Sequence, residues 1–211
     1  MIIPKIFHFI WVGTKPILPC AHGFMAGWQA QHPDWQVKLW TDDNLPAMQN
    51  QHEYDAASIL AEKADILRYE LVFQFGGIYV DVDCECLRNL EPLIENLDGF
   101  LASEDDYRIC NCVIGAVPQH PFFKQLLDNL PAAFARDPND VVAATGPGFL
   151  TDTFHAWVGH KFKHPDCWEQ PDLAPIRIFP PKIFYPVHYT KRIYGELADA
   201  YSNHLWAMSW R

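Results

Sequence analysis

Residues 58–83 read SILAEKADILRYELVFQFGGIYVDVD, a helical repeat, two glycines and a short apolar run that closes on two carboxylates. Leu60, Ala64, Leu67, Leu71 and Phe75 recur at the spacing of one helix face, so a helix is expected from Ser58 to Phe75. Gly76 and Gly77 stand where helices commonly stop on a left-handed glycine. Ile78 to Val82 then reads as a buried strand. Side chains two apart in a strand share a face, so Asp81 and Asp83 are expected to point one way. They sit at the C-terminal end of that strand, where open α/β sheets collect ligands.

Two carboxylates held close repel unless a cation or donor groups lie between them. A divalent metal satisfies the pair, and hard oxygen ligands suit magnesium or manganese, which keep substrate phosphates in their coordination shells. The pattern thus points to a nucleotide-diphosphate substrate held through a metal. The ordinary reading of an Asp-x-Asp pair is a turn or a solvated strand end. On the preceding helix, Asp65, Arg68 and Tyr69 lie three and four residues apart on one face, either as part of a site or as a plain intrahelical ion pair.

The chain's 211 residues suffice for one well-buried domain, with no composition shift to mark a second, so residues 1–211 are read as a single domain. A 49% hydrophobic content argues against disorder, and the formal charge of −10 argues against a nucleic-acid partner. No apolar stretch approaches the roughly 20 residues of a membrane span, and the start has no signal-like region. A soluble, cytoplasmic chain with reduced thiols is therefore expected, at most peripheral at the inner face of a membrane. Cys84 and Cys86, with Cys110 and Cys112, would make a four-thiolate zinc site only at unusually tight spacing. Buried free thiols are the simpler expectation.

Along the chain, Lys5 to Val12 reads as a first strand, Cys20 to Gln31 as a helix and Gln36 to Trp40 as a second strand. Thr41, Asp42 and Asp43 are expected to cap a short helix. Beyond the Asp-x-Asp, Glu91 to Leu93 begins a short helical segment. Strands are expected over residues 99–104 and 110–117, and a helix from Gln119 to about Ala135. Phe149 to Val158 should be helical, Ile176 to Phe179 a strand and Lys191 to Tyr201 a last helix. Alternating strands and helices imply an α/β fold with a mostly parallel central sheet. No Gly-x-Gly-x-x-Gly, Walker loop, His-Glu-x-x-His or Gly-x-Ser-x-Gly is present.

These motifs resemble a known family. Residues 3–11 (IPKIFHFIW), 64–69 (ADILRY), 76–83 (GGIYVDVD), 111–121 (NCVIGAVPQHP), Thr145-Gly146-Pro147 and Ser209-Trp210 are similar, in order and spacing, to glycosyltransferases with the DXD sugar-binding region. That group includes Golgi initiating mannosyltransferases, α-1,4-galactosyltransferases and bacterial polysaccharide enzymes. The resemblance implies a GT-A nucleotide-diphospho-sugar transferase fold and a divalent metal, manganese or else magnesium. It implies that Asp65 and Arg68 touch the donor sugar, Asp81 the ribose and sugar, and Asp83 the metal. Trp11 would stack on the nucleobase, with Tyr79 near the sugar or base. The tail would complete the site through His204 as a second metal ligand and through Ser209 and Trp210. Asn111 is assigned to sugar or acceptor, or else to a structural turn.

The implied reaction is retaining transfer of a hexose from a UDP-sugar, or from GDP-mannose, to a saccharide or glycolipid acceptor in surface polysaccharide synthesis. Asp65, Arg68, Asp81 and Asp83 form the expected catalytic set. Front-face attack needs no dedicated nucleophile, although Asp65 is the carboxylate that a covalent route would use. A metal-dependent nucleotide-sugar hydrolase, or a non-catalytic sugar-binding module built on exposed tryptophans, would account for parts of the same pattern.

Overall fold

The computed structural model describes residues 2–138, 140–159 and 176–207. Its strands are β1 (Ile6–Ile10), β2 (Gln36–Trp40), β3 (Gly77–Val80), β4 (Cys84–Cys86), β5 (Gly99–Ser103), β6 (Ile109–Ala116), β7 (Arg177–Phe179) and β8 (Ser202–His204). Six of them form one sheet in the order β2-β1-β3-β6-β5-β7, in which β6 alone runs against its neighbours. The sheet is thus mostly parallel, as expected. A separate two-stranded ribbon pairs β4 with β8 antiparallel and sets Cys84 opposite His204.

Helices cover both faces: α1 (Ala21–Gln31), α2 (Gln51–Ala56), α3 (Leu60–Phe75), α4 (Glu91–Ile94), α5 (Pro121–Arg136), α6 (Val141–Ala144), α7 (Pro147–Val158) and α8 (Pro181–Phe184). Strand alternation divides the apolar side chains between two cores. Tyr79, Leu101 and Ile114 meet α3, α5 and α7 on one face, while Ile78, Val80 and Phe100 meet α1 and α8 on the other. None of the described helices is long and apolar enough to cross a membrane.

The passage from α3 into β3 is set by two left-handed glycines, Gly76 at φ 64° and Gly77 at φ 85°. A β-carbon on Gly77 would lie 2.4 Å from Ile6 Cγ2, so the strand enters the sheet too close to β1 for any side chain. His8 fastens this elbow from beneath. Its Nδ1 accepts from Trp40 Nε1 at 3.1 Å, which leaves Nε2 to donate to the Gly76 carbonyl at 2.8 Å. Burial pushes the His8 pKa down to about 4, and the ring stays neutral.

Three expectations need correction. The strand after the glycines ends at Val80, so Asp81 and Asp83 lie in the turn between β3 and β4, not along a strand. The turn closes by Cys84 N donating to the Asp81 carbonyl at 3.0 Å. Thr41 to Asp43 cap no helix, because Asp42 accepts from Gly13 N and Asn44 from Thr41 N; the next helix starts at Gln51. Residues 191–201 are not an α-helix either. Ile193 bridges to Val187, Lys191 takes φ 69°, and only Leu197–Asp199 forms a 3-10 turn before β8. Ile193, Leu197 and Tyr201 do recur at helical spacing, but Ile193 and Leu197 stay exposed, and backbone bonds to residues 183–188 hold the segment instead of a buried helix face.

Candidate active site

The parallel strands deliver their C-terminal ends to one edge, and the reversed β6 brings its N-terminal half to the same edge. Val80 is paired with Val113, so Asp81 follows opposite Cys112, and Asp81 N donates to the Cys112 carbonyl at 2.9 Å. A cavity of about 310 Å³ opens there, lined among others by Trp11, Asp65, Arg68, Asp81, Asp83 and His204. This volume is at the lower bound of small-molecule sites, roughly 300 to 1,000 Å³.

Arg68 on α3 ties three elements together. Its Nη2 lies 3.0 Å from Asp65 Oδ1, its Nη1 lies 3.3 Å from Asp81 Oδ1, and it donates to the Asn111 carbonyl at 2.8 Å. The guanidinium carbon stands 4.5 Å from the centre of the Tyr79 ring, and the Tyr79 hydroxyl donates to Asp81 Oδ1 at 2.5 Å. Asp65, the partner on the next turn, also accepts from Asn111 Nδ2 at 2.8 Å and from Thr145 Oγ1 at 2.9 Å. Tyr69 completes the set by donating to the Thr145 carbonyl at 2.8 Å. Burial pushes the Asp65 pKa up to about 6, against the opposing charge of Arg68 and the hydrogen bond from Thr145.

The plain ion-pair reading of Asp65 and Arg68 is therefore too small. The pair is buried and shared by α3, β3, β6 and the Thr145 turn. Asn111 lies in β6, which rules out its turn role. Thr145 was visible only as part of a motif, because its hydroxyl reaches Asp65 across 80 positions of sequence. Cys112, expected only as a buried thiol, also lines the cavity, as do Lys15, Glu104 and Arg108, which no motif marks.

At the opposite corner, β8 carries His204 to the two carboxylates. Its Nε2 sits 3.0 Å from Asp83 Oδ1 and 3.6 Å from Asp81 Oδ2, and Asp83 Oδ2 accepts from Ala207 N at 2.8 Å. Burial pushes the Asp83 pKa up, yet the hydrogen bond and charge of His204 with the Ala207 amide outweigh it, and the net shift is down. For His204 burial pulls down, but its bonds and charges with Asp83 and Asp81 outweigh it, and the net shift is up. Asp81 and His204 supply a carboxylate oxygen and an imidazole nitrogen that suit manganese, and Asp83 reaches the same imidazole without joining the ligand cluster. Asp81, Cys112 and His204 offer ligand atoms within 4.8 Å of one another, and burial holds the Cys112 thiol well above its usual pKa. No cluster among the described residues unites the four Cys-x-Cys thiols, which removes the zinc alternative there.

Trp11 follows β1 at the cavity wall, with its Nε1 donating to the Lys15 carbonyl at 2.7 Å. Tyr79 is only 2% exposed, so it supports Arg68 and Asp81 more than it faces the cavity. Ser209 and Trp210 lie outside the described residues.

This arrangement is the GT-A glycosyltransferase fold. Aligned on solved structures, the chain matches the PaToxG glycosyltransferase with a TM-score of 0.64, at 18% identity over 74% of this chain and 70% of that one. It matches the catalytic domain of alpha-toxin from Clostridium novyi with a TM-score of 0.53, at 11% identity over 75% and 64%. Residues 22–99 match the glycosyltransferase sugar-binding region containing the DXD motif, and residues 116–209 match the alpha 1,4-glycosyltransferase conserved region. The chain belongs to the glycosyltransferases with the DXD sugar-binding region. It is 31% identical to inositol phosphoceramide mannosyltransferase 3 of Schizosaccharomyces pombe over 89% of this chain and 52% of the relative. It is 30% identical to a mannosyl phosphorylinositol ceramide synthase of Saccharomyces cerevisiae, over 74% and 41%, and to a human alpha-1,4-N-acetylglucosaminyltransferase, over 68% and 42%. The chain thus spans about half the length of the curated relatives it matches.

Proposed function

We propose that this protein transfers a hexose from a nucleotide-diphospho-sugar to a hydroxyl of a saccharide or glycolipid, with a divalent metal and with retention at the anomeric carbon. The observation that carries this reading is the convergence of Asp81, Asp83 and His204 with the Asp65–Arg68–Asn111 network around one cavity at the sheet edge. Asp81, Asp83 and His204 would hold the metal, which when bound stabilises the charge that develops on the leaving diphosphate as a Lewis acid.

The remaining work falls to side chains already in place. Trp11 offers an indole face to the nucleobase at the end of β1. Arg68, buried and fixed by Asp65, Asn111 and the Tyr79 ring, supplies a permanent positive charge that needs no reorganisation during transfer. Asp65 has three donors around its two oxygens, so it serves as the group that positions Arg68 and Asn111 and not as a nucleophile. Retention then follows from attack on the donor's own face, with the leaving phosphate taking the acceptor proton. The names of the yeast relatives favour mannose and a glycolipid, and that of the human relative favours N-acetylglucosamine, so the donor is best sought among both UDP- and GDP-sugars.

The test is a panel of UDP- and GDP-sugars with manganese, read by thermal shift, by nucleotide release and by the anomeric signal of the product. Turnover should vanish in chelator and return with manganese. Full turnover in chelator would sink the metal role. Nucleotide release without transfer to any saccharide or glycolipid would make the protein a hydrolase.

A further inference from the structure

A second polar group begins at Glu104 on the cavity wall. Glu104 and Asp105 follow β5, and one ring nitrogen of His188 lies with their carboxylate oxygens inside a 4.8 Å cluster. Glu104 is 3% exposed and His188 5%. The His188 Nδ1 accepts from the Thr190 amide at 3.4 Å and meets the Thr190 hydroxyl at 2.7 Å. An amide nitrogen can only donate, so the proton of the neutral ring belongs on Nε2. That Nε2 is buried and has no partner among the described residues, a costly state for a donor.

A hydroxyl would satisfy this group in both directions, accepting from Nε2 and donating to a carboxylate. A metal ion fits less well, because Nε2 carries the proton and Arg108 Nη1 stands 3.5 Å from Glu104 Oε1. The flanking wall is aromatic. Tyr189, 45% exposed, packs 5.6 Å from Trp206 between ring centres, and both rings border the main cavity and a neighbouring one of about 290 Å³ that reaches His188. Flat rings beside paired donors and acceptors suit a ring with an apolar face and a hydroxylated rim.

We infer that His188, Glu104 and Asp105, walled by Tyr189 and Trp206, form the acceptor subsite and take a cyclic polyol, either a sugar ring or an inositol ring, through neighbouring hydroxyls. This rests on the transfer reading, since it names the second substrate of the same cavity.

Saturation-transfer NMR with methyl α-mannoside, methyl β-galactoside and myo-inositol as probes tests it without requiring turnover, and the probes separate the two kinds of ring. At least one should bind, and Tyr189→Ala and His188→Asn should each weaken it by roughly tenfold, as expected for one lost contact of this kind. In the transfer assay the same variants should raise the acceptor KM by that factor and leave the donor KM in place. Tyr189 is exposed, so its variant keeps the test alive should His188→Asn misfold. Binding equal to wild type in both folded variants, binding of no probe, or a rise confined to the donor KM would overturn the subsite. A wild-type protein that turns over no nucleotide sugar would fail the transfer reading instead, and the NMR result would still decide whether a polyol binds here.

Discussion

Asp65 and Asp83 are both buried carboxylates on the same cavity, yet their environments push them in opposite directions. Asp65 sits in a network assembled from four elements and rises to about 6 because burial exceeds what Arg68, Thr145 and Asn111 return to it. Asp83 falls because the hydrogen bond and charge of His204 and the Ala207 amide outweigh its burial. The first region is complete as it stands, with its hydrogen bonds made within the protein. The second brings two carboxylates against one imidazole, the corner proposed above to hold the divalent ion. Preassembly on one side and a corner for a cation on the other is what a donor site requires.

The strongest way to break the first region is Arg68→Ala. It leaves Asp65 buried beside Asp81 without its counter-charge, and urea unfolding should show a loss of about 3 to 5 kcal/mol along with the loss of turnover. Unchanged melting and unchanged kinetics would return Arg68 to a plain intrahelical ion pair.

In the second region Asp83→Ala should lower turnover by about 10² to 10³-fold, measured at saturating manganese, while the denaturant midpoint moves less than for Arg68→Ala. His204→Gln removes the ring but not the carboxylates. Manganese affinity, read by titration of donor turnover, should weaken about 10- to 100-fold. An affinity equal to wild type would confine His204 to a structural bond with Asp83.

The smallest effect is a pH slope. The folded pKa of Asp65 lies above its unfolded value, so the native state binds the proton more tightly and stability is greatest below the unfolded pKa. It then falls as pH rises from about 4 to about 6. Asp65→Asn cannot titrate, so its urea midpoint should be flatter over that window than the wild type's. Equal slopes would show that Asp65 keeps an ordinary pKa.

Much of the frame was legible in advance. The span of β2 agrees residue for residue, α1 and α3 fall within two residues of expectation, and the glycine elbow lies where a helix must stop before a strand. These are local matters of periodicity and turn chemistry. The four-residue α6 escaped notice because its apolar run is too short to show a period, although Asp140 caps it by accepting from Val142 and Ala143 amides. The last expected helix failed where a short antiparallel bridge from Val187 to Ile193 replaced helical bonds.

The site divides in the same way. Sequence alone determined that Asp65 and Arg68 share a helix face, that a strand begins at the glycines, and that two carboxylates come soon after it, because each of these is written within a few neighbouring residues. Only the tertiary structure decided that the carboxylates sit in a turn, that Asn111 and Thr145 join Asp65, and that His204 meets Asp83 from 121 positions away. The physical reason is the reversed strand and the β4–β8 ribbon. Both bring segments to the sheet edge through long-range backbone pairing, and hydrogen bonds between distant strands leave no periodic mark on the residues that make them.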